Sequence, residues 1–143
     1  MRPLLFLGLV LAAGCSQAPA APDFDAALQA HLDSVQSRDL EAYARTITTG
    51  DELPLIFPDG TLVTSRDDIL AFHEDWFGNP DWRMGFEPVH MRVGETTAIA
   101  LMRVSYRDTP DGEDRFNYLT LVFQLEDGAW RLVHDQNTRI AAP

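Results

Sequence analysis

The hydrophobic period changes once along this chain, and that change limits what it can fold into. Before Asn79-Pro80-Asp81 apolar residues recur at three and four, and beyond it they alternate at two. Phe24, Ala27, Leu28, Leu32 and Val35 form one helical stripe behind a capping Asp23, ending near Arg38. Asp39 caps a second short helix carrying Leu40, Tyr43, Ala44 and Ile47, which Thr48-Thr49-Gly50 breaks. Pro58-Asp59-Gly60 is turn chemistry between Leu53–Phe57 and Thr61–Thr64, so these runs predict a small hairpin. Ser65-Arg66-Asp67-Asp68 then starts a third helix, with Ile69, Phe72, His73 and Trp76 on one face and Gly78 as its stop.

Three turn signals divide the remainder, Gly94-Glu95, Pro110-Asp111-Gly112 and Asp127-Gly128. They predict four strands near Arg83–Val93, Thr97–Asp108, Arg115–Glu126 and Ala129–Ile140, joined closely enough for an antiparallel meander. Helices first and strands last indicate an α+β domain with helices on one face of a sheet. Alternation assigns Ala100, Met102, Val104 and Tyr106 to the helix-covered face, with Asn117 as a polar contributor from the next strand. Leu119, Leu121, Phe123 and Leu125 join them, as do Trp130, Leu132, His134 and Gln136 of the last strand. By the same parity Asp135 and Asn137 point away, unless a bulge intervenes. Ile99, Leu101, Val122 and Val133 make the other face apolar as well, which suggests a homodimer surface.

Composition narrows the function. The chain has 143 residues with 11 basic against 22 acidic side chains, and all the basic ones are arginine. A net charge of −11 with no basic run argues against a nucleic acid partner. A single cysteine excludes a disulfide framework. Four histidines at 31, 73, 90 and 134 are too widely spread for a metal clamp, and there is no Gly-rich phosphate loop, so no metal or cofactor is expected. The acidic balance also disfavours anionic ligands unless Arg103 or Arg107 turns inward.

The N-terminus reads as an address. Arg2 precedes an apolar run too short to span a bilayer, and Leu11-Ala12-Ala13-Gly14-Cys15-Ser16 resembles a bacterial lipobox. Residues 1–14 then form a signal peptide, and residues 15–23 comprise a lipidated Cys15 and a Pro/Ala tether. Residues 24–143 make the domain. The protein is expected to be exported and held in the cell envelope by acyl chains. Ser16 after the cysteine resembles lipoproteins of a Gram-negative outer membrane, facing the periplasm.

The order of helices, hairpin, helix and curved meander resembles the nuclear transport factor 2-like superfamily, in its SnoaL-like bacterial branch. The final run Asp127-Gly128-Ala129-Trp130-Arg131-Leu132-Val133-His134 resembles that branch's last strand, and Asp75-Trp76-Phe77 and Asp81-Trp82-Arg83-Met84 resemble bacterial members. The resemblance implies a cone-shaped barrel, with helices packed on a curved, mostly antiparallel sheet around a pocket, usually as a homodimer. It does not imply one activity.

His134 is the candidate catalytic residue, since parity turns its imidazole toward the cavity, where it could act as a general base. Candidate pocket residues are His73, Trp76, Tyr106, Asn117, Trp130 and Gln136. Ketosteroid-isomerase-like chemistry needs a carboxylate base and an acid donor in one apolar cavity. Parity leaves that pair unplaced, because Asp135 faces outward. The first reading is therefore a binder of a small apolar or amphipathic molecule. The alternatives are an isomerase, dehydratase or cyclase using His134, with Tyr106 or Gln136 polarising a carbonyl, and a dimeric assembly module without a ligand. The lipobox makes a direct prediction. In a bacterial host, Cys15→Ser should move the protein from the detergent-rich to the aqueous phase on Triton X-114 partitioning. Unchanged partitioning would refute lipidation at this cysteine.

Overall fold

A computed structural model describes residues 22–140. The expected signal peptide, Cys15 and the tether up to residue 21 lie outside the described residues. Three helices, α1 (Phe24–Ser37), α2 (Leu40–Thr46) and α3 (Arg66–Phe77), pack on one sheet. Its strands are β1 (Glu52–Ile56), β2 (Leu62–Ser65), β3 (Arg83–Val93), β4 (Thr97–Arg107), β5 (Arg115–Glu126) and β6 (Ala129–Arg139). The α+β class and every expected element are therefore present.

Local chemistry sets the element ends. Asp23, Asp39 and Ser65 accept hydrogen bonds from the first backbone N–H groups of α1, α2 and α3. Arg38 closes α1 in the left-handed region at φ 58°, where its N–H reaches the carbonyl of Val35 at 3.1 Å. Asp127 and Gly128 both have positive φ, 48° and 81°, and make the two-residue loop that twisted antiparallel strands require.

The sheet runs β2-β1-β6-β5-β4-β3. All neighbours are antiparallel except β1 and β6, which pair in parallel through Leu55 with Asp135 and Ile56 with Gln136. The predicted hairpin is thus an extension of the sheet, a link that local periodicity could not reveal. The stripe of α1 lies against the concave face, on which Ala98 and Ala100 are fully buried. Phe24, Leu28, Leu32 and Val35 are buried there with Met102, Val104, Leu121, Phe123, Trp130 and Leu132. Phe24 meets Phe123 and Trp130 edge to face, at centroid distances of 5.4 and 5.6 Å.

The last strand departs from simple alternation. Phe123 pairs with Leu132, but the next residue back on β5, Val122, pairs with His134, so Val133 is an extra residue in β6. Trp130 and Leu132 face the core as expected. Beyond the bulge the parity inverts. His134 pairs with Val122 and Gln136 with Thr120 on the outer face, while Asp135 pairs with Leu121 and Asn137 with Leu119 on the concave face. Without the extra residue either Trp130 and Leu132 or Asp135 and Asn137 would occupy the wrong face. Deleting Val133 is therefore expected to cost at least ~2 kcal/mol in urea unfolding, through apolar exposure or an unsatisfied buried polar group. A loss below ~0.5 kcal/mol would show that the bulge is dispensable.

Candidate functional site

A cavity of about 600 Å³ lies between the helices and the concave sheet. Its walls include Leu32, Val35, Leu55, Phe72, Trp76 and Leu119, so its body is apolar. His73, Trp76, Tyr106 and Asn117 line it as the sequence indicated. Three expectations are corrected. His134 and Gln136 do not line it, because the bulge at Val133 turns both outward. Trp130 does not line it either. Its ring is buried against Phe24, and its indole N–H donates to the Pro22 carbonyl at 3.0 Å, which anchors the start of α1. Arg103 and Arg107 remain outside, paired with Glu87 and Asp114.

The bulge supplies what parity had denied, a carboxyl group in the cavity. Asp135 borders the cavity with protein on its other sides, and this desolvation raises its pKa to about 7. One hydrogen bond works in the other direction, because Asn137 Nδ2 donates to Asp135 Oδ1 at 2.9 Å. Asn137 is itself fixed. Its amide also donates to the Ile56 carbonyl at 3.1 Å, and its Oδ1 accepts from Asn117 Nδ2 at 2.6 Å. The amide of Asn137 on β6 therefore holds the carboxyl group and is itself held by Asn117 of β5, while Asp135 stays able to change protonation state near neutral pH.

Tyr43 is the second group that sequence reasoning missed as a site residue. It lies on the buried stripe of α2 and reads as core, yet it lines the cavity, and its hydroxyl is buried with no hydrogen-bond partner among the described residues. Burial, and secondarily the charge of Asp135, hold its pKa well above the usual phenol range. The phenol thus stays protonated and can donate. Its ring, carried on α2, is clamped by α1 and α3. His73 of α3 stacks on it at 4.0 Å, His31 of α1 lies at 5.4 Å, and Phe77 meets it edge-on at 5.9 Å.

Both histidines are neutral. Burial lowers His31 to about 3, with the charge of His73 adding to the effect, and burial lowers His73 to about 4 against the raising influence of its bond to Ile69. His73 Nδ1 lies 2.7 Å from the Ile69 carbonyl, which can only accept, so the proton sits on Nδ1. Thr46 Oγ1 spends its proton on the Tyr43 carbonyl at 2.7 Å, so His31 Nδ1, at 2.8 Å, is the donor to that oxygen. His73 is buried at 4% exposure. Trp76 donates to Tyr106 Oη at 3.4 Å and stacks on Trp82 at 4.4 Å, which completes the aromatic wall. Among the described residues no three His, Cys, Asp or Glu side chains gather as a metal set.

The SnoaL-like domain family matches residues 25–141. The chain belongs to this family. Solved structures with the same fold include a protein assigned to the calcium/calmodulin-dependent protein kinase type II association domains, from Thiobacillus denitrificans. It is 20% identical at a TM-score of 0.74, over 86% of this chain and 99% of that one. A nuclear transport factor 2-like protein from Streptomyces avermitilis, assigned as a dehydratase, is 17% identical at a TM-score of 0.69, over 82% of this chain and 94% of that one. An uncharacterised protein with a cystatin-like fold from Caulobacter vibrioides is 22% identical at a TM-score of 0.68, over 82% and 87% respectively. At these identities the likeness is one of fold, and it includes proteins of different description. No curated protein matches the sequence.

The buried ionisable groups give stability a pH signature. Asp135 has a folded pKa raised above its unfolded value, so the native state holds more protons between pH ~4 and ~7, and this contribution is lost as pH rises through that window. The histidines have folded values below 6.5, so their contribution is present above 6.5 and lost as pH falls toward 4 and then 3. The two effects oppose each other between pH ~4 and ~6.5. Asp135→Asn removes only the first. The stability of the variant relative to wild type is expected to increase by ~2–4 kcal/mol from pH 4 to pH 8, measured by urea unfolding. A difference independent of pH would mean that the Asp135 carboxyl titrates as it does in water.

Proposed function

We propose that the cone binds a small amphipathic molecule carrying a carbonyl group and transfers a proton on it. Asp135 is the base, and Tyr43 donates a hydrogen bond to the carbonyl oxygen. The observation that carries this reading is one apolar cavity lined by both a carboxyl group with its pKa near 7 and a buried phenol lacking a partner. A carboxylate of that basicity can remove a proton from the carbon beside a carbonyl at neutral pH. Negative charge then develops on the oxygen, where a phenol already aligned by the helices stabilises it without reorganisation. Where a carbon–carbon double bond adjoins the deprotonated carbon, the proton returns from Asp135 to the far end of the conjugated intermediate and the double bond moves, which is isomerisation. Where a hydroxyl sits on the next carbon, its C–O bond breaks, the proton on Asp135 leaves with it as water and a conjugated double bond forms, which is dehydration. His31 and His73, being neutral, act as supports for the Tyr43 ring. The dehydratase assignment of the Streptomyces avermitilis neighbour agrees in reaction class.

The same reading carries the acyl anchor on Cys15, which would hold the domain at a cell-envelope membrane, the outer membrane in a Gram-negative host. It also carries pairing of two copies through the outer sheet face, a surface to which the exposed Ile99 and Tyr118 contribute. An envelope-bound cone would meet amphipathic molecules as they leave the bilayer. The chemistry can be tested with 2-decanone in deuterium oxide, following loss of the protons beside its carbonyl by NMR. The wild-type protein is expected to accelerate exchange, Asp135→Asn to lower that rate at least ~100-fold, and Tyr43→Phe to lower it ~10–100-fold. Equal exchange in wild type and Asp135→Asn would remove Asp135 as the base.

A further inference from the structure

The concave face of β6 beyond the bulge is a polar rail in an otherwise apolar cone. Asp135, Asn137 and Arg139 follow one another on it, opposite Leu121, Leu119 and Asn117 of β5. Arg115 lies two residues before Asn117 on the same face of β5, and pairs with Tyr106 of β4. Its guanidinium carbon lies 5.3 Å from the centre of the Tyr106 ring, a cavity wall. Arg115 and Arg139 are the cations among the residues lining the cavity, and both are exposed at its rim. Their placement runs against the charge of the chain, which is −11 overall.

The surroundings of these arginines leave them capacity to bind. Arg139 makes no ion pair among the described residues. Arg115 is ion-paired through Nη2 with Asp108 at 2.6 Å, which uses one of the five donors a guanidinium offers. One carboxylate shares the rim, Asp59, whose Oδ1 accepts from the backbone N–H of Thr61 at 2.9 Å and which lies near enough to Arg139 to feel its charge without forming an ion pair. Asp135 and Arg139 are four residues apart on a strand, so their Cα atoms are separated by ~13 Å. A ligand spanning that rail has room for an apolar chain between its two polar ends.

We infer that the ligand is an amphipathic oxo-carboxylate, its apolar body in the cone, its carbonyl at Asp135 and Tyr43, and its carboxylate held at the rim by Arg115 and Arg139. This inference rests on the acid–base reading for the placement of the carbonyl end. Guanidinium groups bind carboxylates through paired N–H donors, which fixes the direction in which such a molecule enters. A neutral ketone of the same length could slide in either way round. The rim arginines therefore select substrates and set which carbon meets the base.

The test compares 9-oxodecanoate with its methyl ester by isothermal titration calorimetry on the full chain at low salt. The acid is expected to bind roughly tenfold more tightly than the ester. The pair Arg115→Gln and Arg139→Gln together should lower acid affinity to that of the ester and leave the ester unchanged. Should the double variant fold poorly, wild type serves alone, because raising the salt should close the gap between acid and ester. Equal binding of acid and ester in wild type overturns the proposal, as does a preference that survives the double substitution or high salt. Failure of the acid–base reading is separate. It appears as deuterium exchange unaffected by Asp135→Asn, while the preference for the acid remains.

Discussion

The cavity has a carboxyl group on its wall because β6 stops obeying its own alternation at Val133. Up to Leu132 the strand feeds the core with Trp130 and Leu132, and one unpaired residue later it offers Asp135 to the same side. The extra residue falls where β6 exchanges partners. Ile47 bridges to Leu132 before it, and Leu55 pairs with Asp135 after it. A strand held on both edges cannot slip to relieve the mismatch, so the irregularity is locked in place by two ladders. The roof and the floor of the cone therefore make opposite demands on one strand, one apolar and one polar, and a single inserted residue meets both.

The polar floor is costly, and the structure distributes that cost. A half-buried carboxyl group with one amide donor has its pKa raised to about 7 rather than being fully compensated, and two buried imidazoles are held neutral by the same lack of solvent. Tyr43 adds a hydroxyl with no partner. Such groups are tolerated because the aromatic and aliphatic packing around them is dense. His73, Phe77 and Trp82 contact Trp76 or Tyr43 in a continuous stack that reaches from α3 to the start of β3. Stability given up at Asp135 and Tyr43 leaves both groups with unused hydrogen-bonding capacity on the cavity wall.

Much of the fold was legible because its signals are local. Capping residues, glycine turns and a period that changes from 3.6 to 2 located all three helices and six strands, and the alternation of β4 and β5 placed Tyr106 and Asn117 correctly. The site was only half legible. His73 and Trp76 follow from one helical stripe. Tyr43 carries no signal that distinguishes a cavity phenol from a core ring, since both require an inward position on α2. His134 was misplaced for a different reason. After Val133 the strand reads His134-Asp135-Gln136-Asn137-Thr138-Arg139, with no apolar residue to mark which face is buried. Alternation carries information only where hydrophobicity alternates, so parity was extrapolated through the one place where it failed.

The amino-acid sequence by itself determined the elements, their order, the α+β layering and the apolar stripe of each helix, because these depend on neighbours within a few residues. The parallel pairing of β1 with β6, the bulge it helps to hold, and the meeting of Asp135 with Tyr43 were decided by tertiary structure. The strand pairing and the approach of Tyr43 to Asp135 join residues about eighty or more positions apart, and the position of an extra residue in a ladder is set by the strands on either side of it.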